Sequence, residues 1–270
     1  MEIKINDDFD LTKIINSGQC FRGKEIEENI YRFITNNEII YIRKKSDDAY
    51  EISCDEPTWN KVWKNYFDME RNYKEIRKQI PENDTFLIKS ARTGRGIRIL
   101  NQDPWEMLIT FITSQRKSIP AIRSAIEKLC ILAGNKKTTD YETIYTFPTI
   151  ETLSELALKD LESCGLGYRA PYIYKTTQII RKGEINLEEL YAYNDEKLIE
   201  TLKIFPGVGI KVANCVALFA YGRTNRAPVD VWIERIIKNE YEGINPFNNY
   251  KTNAGIMQQY MFYYMQVNKK

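Results

Sequence analysis

The chain of 270 residues contains no histidine. Histidine is the most frequent general base near neutral pH and the most frequent metal ligand in proteins. The chain therefore has neither a histidine base nor a histidine metal ligand. Any catalysis by this chain must therefore rest on Lys, Asp, Glu, Tyr, Cys or Ser side chains.

Cysteine is sparse and irregularly placed. The five cysteines are odd in number and include no C-x-x-C pair: Cys20, Cys54, Cys130, Cys164 and Cys215. This pattern disfavours a zinc site, an iron–sulfur cluster and a disulfide framework, and it fits a reducing cytosol.

Long apolar runs are also missing. No stretch of about 18 uninterrupted apolar residues occurs, and the N-terminal MEIKINDDFDL has charges in place of a signal-peptide core. We therefore expect a cytoplasmic protein that neither spans a membrane nor is exported. The net charge is +2, from 39 basic and 37 acidic residues, so bulk charge neither requires nor excludes a nucleic-acid partner.

The order of local patterns predicts an α+β protein. Up to about residue 55, short β-branched and aromatic runs alternate with turn residues, including FDLTKIINSGQCFRG and a hairpin centred near Asn36. From Thr58 the apolar period approaches 3.6, and residues 59–80 are predicted to form one helix. We expect an N-terminal antiparallel sheet domain with a flanking helix (1–90) and a multi-helix body (91–270).

Amphipathic segments with capping residues fill the second half. N-terminal caps are predicted at Asp103, Ser118, Thr149, Asn194 and Asp230, and several segments end at glycine. The segment from Thr149 to Gly165 is predicted as a single helix.

Two of these helices are joined by FPGVG in LKIFPGVGIKVANC. Pro206 ends the first helical pattern, and Gly207 and Gly209 permit positive φ and close backbone approach. The second helix then begins with free backbone N–H groups, which favour anions such as a DNA phosphate. For the glycines alone, a purely structural turn between helices is the favoured alternative.

Lys211 lies at the start of this second helix, where the helix dipole disfavours its charge. Apolar residues follow it, so the amine is either a reactive nucleophile or a lysine whose end reaches solvent. Asp230 follows 19 residues later in APVDVW, after Pro228, where it is expected to cap the next helix. The turn, the lysine and the aspartate together are more specific than any one of them.

The combination resembles the helix-hairpin-helix DNA glycosylases, specifically the 8-oxoguanine DNA glycosylase branch. The similarity extends in the same order to SGQCFRG (17–23), IRILNQDPWEMLITFITSQ (97–115), CGLGYRAPYI (164–173) and GIMQQYMF (255–262). It covers nearly the whole chain.

This resemblance implies an enzyme that flips a damaged purine out of duplex DNA and excises it. Lys211 matches the family's nucleophile, which attacks C1′ of the sugar and forms a Schiff base that permits β-elimination. Asp230 matches the aspartate that stabilises positive charge on the sugar. No metal or organic cofactor takes part, and the expected partner is double-stranded DNA bound by a monomer.

The resemblance also implies the binding residues. Gly18 matches the glycine whose carbonyl accepts the N7–H of 8-oxoguanine, and formamidopyrimidine-guanine is a related lesion. Gln258 matches the amide that reads the base edge, and Cys215 and Phe262 match the residues on either side of the flipped ring. Core packing is the alternative for both Cys215 and Phe262.

DNA contacts follow in the same way. Tyr168 matches an intercalating wedge and Arg169 an arginine at the opposite base. The hairpin amides implied to hold phosphate are those of Gly207, Gly209 and Val212. A structural cation is implied at the carbonyls of Lys203, Phe205 and Val208.

Three positions depart from the eukaryotic form of the family. Arg116 replaces the asparagine that fills the gap left by the base, and Ala121 replaces a second arginine that reads the opposite cytosine. Trp232 stands where a phosphate-binding histidine often occurs. The first two changes predict weaker dependence on cytosine opposite the lesion.

Two other functions remain open from the sequence. A monofunctional glycosylase for alkylated purines would lack the hairpin lysine and use water, and Lys211 and Gly18 argue against it. A non-enzymatic DNA-binding protein would need the hairpin alone, without Asp230 at that spacing or the pair Gln258 and Phe262.

Overall fold

The N-terminal part of the chain forms an antiparallel sheet. The computed structural model describes residues 1–268. The five strands of this sheet are β1 (Glu2–Lys4), β2 (Lys24–Glu27), β3 (Ile30–Thr35), β4 (Glu38–Lys44) and β5 (Ala49–Ile52). Their spatial order is β1-β5-β4-β3-β2. The predicted hairpin is confirmed, because Asn36 turns between β3 and β4 with a φ of +51°.

The remaining secondary structure is mostly helical, as predicted. Its helices are α1 (Leu11–Asn16), α2 (Glu56–Thr58), α3 (Lys64–Tyr66), α4 (Tyr73–Lys78), α5 (Thr85–Thr93), α6 (Pro104–Ser114), α7 (Ile119–Ala133), α8 (Ile150–Ser154), α9 (Leu158–Ser163), α10 (Ala170–Arg181), α11 (Asp195–Leu202), α12 (Ile210–Phe219), α13 (Val231–Glu240) and α14 (Ala254–Val267). A further hairpin pairs β6 (Lys136–Thr138) with β7 (Thr143–Tyr145).

Three local predictions were wrong. Residues 11–16 form α1 in place of a strand, because the Asp10 side chain accepts from the Lys13 N–H and starts a helix. The predicted helix over 59–80 stops where Asp68 adopts a φ of +50°, and a π-helical turn at Trp59–Trp63 joins α2 to α3. The helix predicted from Thr149 to Gly165 is two short helices, α8 and α9.

The chain divides into two compact units. Unit 1 contains Met1–Phe33, Ile40–Asn101 and the described residues from Gly222 onward, and unit 2 contains Ile34–Ile39 and Gln102–Tyr221. Neither unit follows a single cut in the sequence. The division into 1–90 and 91–270 therefore remains a prediction.

Aromatic rings form much of the core of unit 1. Phe67 packs edge-to-face against Phe9, Phe33 and Tyr66, with ring centroids 5.0 to 5.3 Å apart. Such T-shaped pairs add roughly 0.5–1.5 kcal/mol each beyond the area they bury. These rings join β3 to α3, and the buried residues Leu11, Ile14 and Ile15 of α1 belong to the same core.

The centre of unit 2 is α6. Every residue from Pro104 to Thr113 is buried, so the helix is covered on all sides. Its Phe111 stacks on Phe219 of α12, with ring centroids 5.6 Å apart and planes at 15°. This contact places the hairpin's second helix directly on the central helix. Within residues 1–268, none of the helices has the length and apolar character to cross a membrane.

Candidate active site

The helix-hairpin-helix element joins α11 and α12 in unit 2. Phe205 is only 1% exposed and anchors the turn, and its carbonyl accepts from the Val208 N–H at 3.0 Å. Ile204 and Ile210 on either side are about 60% exposed. The turn thus holds its centre in the core and presents its flanks and the start of α12 to solvent.

The start of α12 has no side chain to cap it. Gly209 is the N-cap residue and has no side chain, whereas α6, α7, α8, α11 and α13 are capped by the predicted residues Asp103, Ser118, Thr149, Asn194 and Asp230. The first-turn amides of α12, including Val212 N–H, therefore remain available to a ligand. An anion is the ligand that such an end favours.

The two hairpin glycines have different roles. Gly207 has a φ of +78°, and a Cβ there would lie 2.5 Å from Cδ2 of Tyr172, so both backbone and space require glycine. Gly209 has a φ of −90° and a ψ of −179°, and a Cβ there would meet nothing within 4 Å. The expectation of positive φ at Gly209 was wrong. Gly209 differs from Gly207 in that the space beside its backbone is open.

Lys211 lies in the first turn of α12 and is half-buried. Its Nζ is 5.6 Å from the centroid of the Phe111 ring. The ring face attracts the ammonium form, whereas the helix N-terminus disfavours it. Cys215 lies one helical turn further along and is 3% exposed. The Phe111 ring of α6 therefore lies beside the Lys211 amine.

Asp230 caps α13 in unit 1, as predicted. One carboxylate oxygen, Oδ1, accepts from the N–H groups of both Trp232 and Ile233 at 3.0 Å. The second oxygen takes no part in the cap. The two hydrogen bonds thereby hold the carboxylate in one orientation.

Gly18 lies in a turn of unit 1 just after α1. Its φ is +77°, a conformation that glycine adopts without strain. Its neighbours Ser17 and Gln19 are both fully buried. A backbone carbonyl in such a turn has a defined direction.

Gln258 and Phe262 lie on one face of α14, also in unit 1. Gln258 is 4% exposed, and its Oε1 has no hydrogen-bond partner within residues 1–268. A buried amide oxygen without a partner costs about 1–3 kcal/mol, so its retention favours a ligand-binding role. Phe262 is half-buried.

Tyr168 and Arg169 occupy a 3₁₀ turn at Gly167–Arg169 of unit 2. Tyr168 is 51% exposed, whereas Arg169 is only 5% exposed. The Arg169 guanidinium lies 4.2 Å from the centroid of the Tyr168 ring and donates to the carbonyls of Leu166 and Gln115. It supports the exposed ring in the present arrangement.

Arg116 and Lys117 lie in the loop between α6 and α7. Arg116 is exposed and has a φ of +50°. Lys117 Nζ donates to the Gly165 carbonyl at 2.7 Å, and burial beside Arg169 lowers its pKa. Together with the bond from Arg169 to Gln115, this ties the loop at 115–117 to the loop at 165–169.

Comparisons with known proteins identify the family. Residues 2–108 match the 8-oxoguanine DNA glycosylase N-terminal domain, and residues 109–254 match the HhH-GPD superfamily of base excision DNA repair proteins. The chain belongs to the HhH-GPD superfamily. Within it, the N-terminal match places the chain in the 8-oxoguanine DNA glycosylase branch.

Related members of the superfamily come from several kingdoms. A Clostridium acetobutylicum 8-oxoguanine glycosylase/lyase, solved with double-stranded DNA containing cytosine opposite 8-oxoguanine, is 35% identical, with a TM-score of 0.92 and coverage of 100% of this chain and 99% of that one. A probable N-glycosylase/DNA lyase of Methanothermobacter thermautotrophicus is 34% identical over 62% of this chain and 59% of its own length. The Saccharomyces cerevisiae N-glycosylase/DNA lyase is 37% identical over 60% and 46%. The match thus spans about half the length of these curated relatives.

The candidate site residues belong to two groups, one in each compact unit. Gly18, Asp230, Gln258 and Phe262 belong to unit 1, whereas the hairpin, Lys211, Cys215, Tyr168, Arg169 and Arg116 belong to unit 2. Sequence reasoning missed Phe111 and Lys117, although both lie in or beside the matched segment 97–115. Phe111 and Lys211 are far apart in the sequence, and no local pattern links them. Their proximity is seen only in the packing of α6 on α12.

Proposed function

We propose that this protein is a bifunctional DNA glycosylase and AP lyase that excises 8-oxoguanine from duplex DNA. The observation that carries the proposal is Lys211 in the first turn of α12, directly after a hairpin whose amides have no side-chain cap. One element then supplies both a grip on a DNA phosphate and a nucleophile near it. We include formamidopyrimidine-guanine as a second substrate, because it is a related lesion that the same chemistry excises.

The covalent steps need only protein groups. The Lys211 amine attacks C1′ as the bond from C1′ to the base nitrogen breaks and the base leaves with the electron pair. The nitrogen then loses one proton, and the ring oxygen O4′ leaves C1′ with the electron pair and takes up a proton, which gives a protonated imine. Loss of a C2′ proton then breaks the bond from C3′ to the 3′ phosphate oxygen, and the phosphate leaves with the electron pair. Asp230, fixed by the two amides of α13, stabilises positive charge on the sugar during base departure.

Recognition of the base uses the second group of residues. The Gly18 carbonyl accepts the N7–H that 8-oxoguanine has and guanine lacks, a difference of about 1–3 kcal/mol in a dry site. Gln258, with its unpartnered Oε1, binds the base edge. Phe262 and Cys215 pack against the two faces of the ring.

The remaining contacts grip the duplex. Tyr168 inserts between the stacked bases of the duplex. Arg169 gives up one of its hydrogen bonds to a backbone carbonyl and contacts the base opposite the lesion. Amides at Gly207, Gly209 and Val212 bind phosphate. The carbonyls of Lys203, Phe205 and Val208 are proposed to bind a structural cation, although the Phe205 carbonyl already accepts one N–H. We further propose that the protein acts as a monomer in the cytosol.

Borohydride trapping tests the proposal. The protein is incubated with a duplex that contains 8-oxoguanine, and borohydride is added to reduce any imine. We expect a covalent protein–DNA adduct that is lost in Lys211→Gln and retained in Lys182→Gln, an exposed lysine at the end of α10.

The alternatives give different results. Base release without a trapped adduct identifies a monofunctional glycosylase that uses water. Binding with neither release nor trapping identifies a DNA-binding protein without catalysis. Either result contradicts the proposed function.

A further inference from the structure

The turn at Ser17–Gln19 is held on both sides by buried glutamine side chains of unit 1. Ser17 Oγ also donates to the Ile14 carbonyl at 2.8 Å, which closes the end of α1. A buried polar turn keeps a single geometry only when its groups are hydrogen-bonded. The partners of this turn therefore decide which way the Gly18 carbonyl points.

Gln259 of α14 holds the peptide unit that precedes Gly18. Its Nε2 donates to the Ser17 carbonyl, and the side chain is 2% exposed. The Ser17 carbonyl and the Gly18 N–H belong to one planar unit. The hydrogen bond from Gln259 consequently fixes the orientation of the peptide plane between Ser17 and Gly18.

Gln19 holds the peptide unit that follows Gly18. Its Nε2 donates to Ser17 Oγ at 2.8 Å and to the Arg98 carbonyl at 2.9 Å, and its Oε1 accepts from the Leu100 N–H at 2.8 Å. Both donors and the acceptor of the amide are in use. Because Cα of Gln19 lies in the same planar unit as the Gly18 carbonyl, anchoring Gln19 restricts rotation of that carbonyl.

The segment to which Gln19 is anchored is itself rigid. Arg98 is 1% exposed and makes five hydrogen bonds, four to the carbonyls of Asp8, Phe67, Asp68 and Arg71 and one to the Asp7 carboxylate. All five N–H groups of the guanidinium are thus satisfied. The Tyr73 ring lies 4.4 Å away and covers the guanidinium. Residues 98–100 therefore give Gln19 a fixed support.

We propose that Gln259 and Gln19 are positioning residues for the Gly18 carbonyl and set the preference for oxidised over undamaged guanine. This inference rests on the proposed function, in which that carbonyl accepts the N7–H of the damaged base. A carbonyl free to rotate would make a weaker bond to N7–H, and it would turn away from the lone pair at N7 of guanine. Both changes reduce the difference between the two bases.

The test measures selectivity in binding. In a Lys211→Gln background, dissociation constants are measured for duplexes that contain 8-oxoguanine, guanine or a tetrahydrofuran abasic analogue. Gln259→Met removes the donor at similar volume. We expect the preference for 8-oxoguanine over guanine to fall about fivefold, equivalent to one neutral hydrogen bond. Affinity for the abasic duplex, which has no base to read, stays unchanged.

A matched control is available on the same helix. Gln266→Met makes the same change seven residues further along α14 and should keep the full preference. Gln19→Met should reduce the preference further, because three hydrogen bonds are lost. If Gln259→Met does not fold, Gln259→Asn, whose amide is one methylene shorter, must show the same fall.

The outcomes separate this inference from the function on which it rests. An unchanged preference in folded Gln259 variants overturns the inference and leaves the proposed function intact. Equal loss of affinity for all three duplexes also overturns it, because that is the effect of a general structural role. A Lys211→Gln parent that does not prefer 8-oxoguanine overturns the proposed function and the inference together.

Discussion

At the scale of single residues, we expect a substitution at Gly209 to weaken DNA binding without lowering the stability of the fold. The extended backbone of Gly209 is the conformation of a capping serine, and Ser118 caps α7 with similar angles. Gly209→Ser should leave stability unchanged or raise it by a few tenths of a kcal/mol, because its hydroxyl accepts from first-turn amides of α12. The same bond competes with phosphate, so affinity for duplex DNA should fall severalfold. Urea unfolding and fluorescence anisotropy measure the two effects.

Gly207→Ala provides the contrasting control. Its Cβ would collide with the Tyr172 ring at a backbone angle that alanine disfavours, so the free energy of unfolding should fall by about 1–3 kcal/mol. If Gly209→Ser binds DNA as tightly as the wild type, the amides of α12 do not bind phosphate.

Arg116 and Ala121 make a second prediction at this scale. The exposed Arg116 has a long charged side chain where the eukaryotic form has asparagine, and Ala121 has no group that reaches a base edge. We expect similar excision of 8-oxoguanine opposite cytosine, adenine and guanine, within about tenfold, since a lost bidentate contact is worth about 1–3 kcal/mol. Single-turnover rates on the matched duplexes test this. Strict dependence on cytosine would contradict it.

At the scale of elements, Asp84 links three parts of unit 1. It caps α5 through the Leu87 N–H and accepts from the hydroxyls of Tyr241 and Tyr250, whose pKa values are raised by burial and by this carboxylate. Tyr241→Phe should lower the free energy of unfolding by about 1.5–3 kcal/mol, the usual value of a hydrogen bond to a charged group. Urea unfolding measures the loss. Tyr241→Phe in an Asp84→Ala background should cost much less, and an equal cost in both backgrounds would refute the link.

Local signals explain which elements were predictable. Helices α7 and α13 were predicted because Ser118 and Asp230 mark their starts next to a 3.6-residue apolar period. Residues 11–16 were misread because Thr12, Ile14 and Ile15 favour strands, while the cap at Asp10 outweighs that preference. The break at Asp68 depends on tertiary contacts, since the Asp68 carbonyl accepts from buried Arg98. The sequence pattern contains no trace of that distant partner.

The candidate site was predictable to a similar degree. Motif matches singled out Lys211, Asp230 and Gln258 as candidates, because each lies in a short segment with characteristic neighbours. The supports of these residues were not identified, since Phe111 beneath Lys211 and Gln259 against Ser17 come from distant segments. Distances in space, not spacing along the chain, assign those residues.

At the scale of the whole molecule, stability should depend on pH through Asp103. Burial raises the pKa of this carboxyl, and the charge of Glu188 adds to the effect. Below the pKa of an unfolded aspartate, about 3.9, both states are protonated and no penalty exists. As the pH rises above that value the unfolded chain ionises more readily than the folded one, so the folded protein loses stability until its own pKa is passed. Asp103→Asn keeps the cap of α6 and removes the penalty.

The variant should therefore be more stable than the wild type at pH 7, and in urea titrations this difference should shrink as the pH falls from the folded pKa of Asp103 toward pH 4. Asp55→Asn at the cap of α2 is a control of opposite sign. The exposed Asp55 has a pKa lowered by hydrogen bonds from the Thr58 hydroxyl and N–H, so its charged form is the stabilising one. Replacing it should lower stability at pH 7, and that loss should vanish as the pH falls through the folded pKa. If the effect of Asp103→Asn stays constant from pH 7 to pH 4, and that of Asp55→Asn stays constant below pH 4 as well, helix capping alone explains both variants, and the buried charge of Asp103 carries no energetic cost.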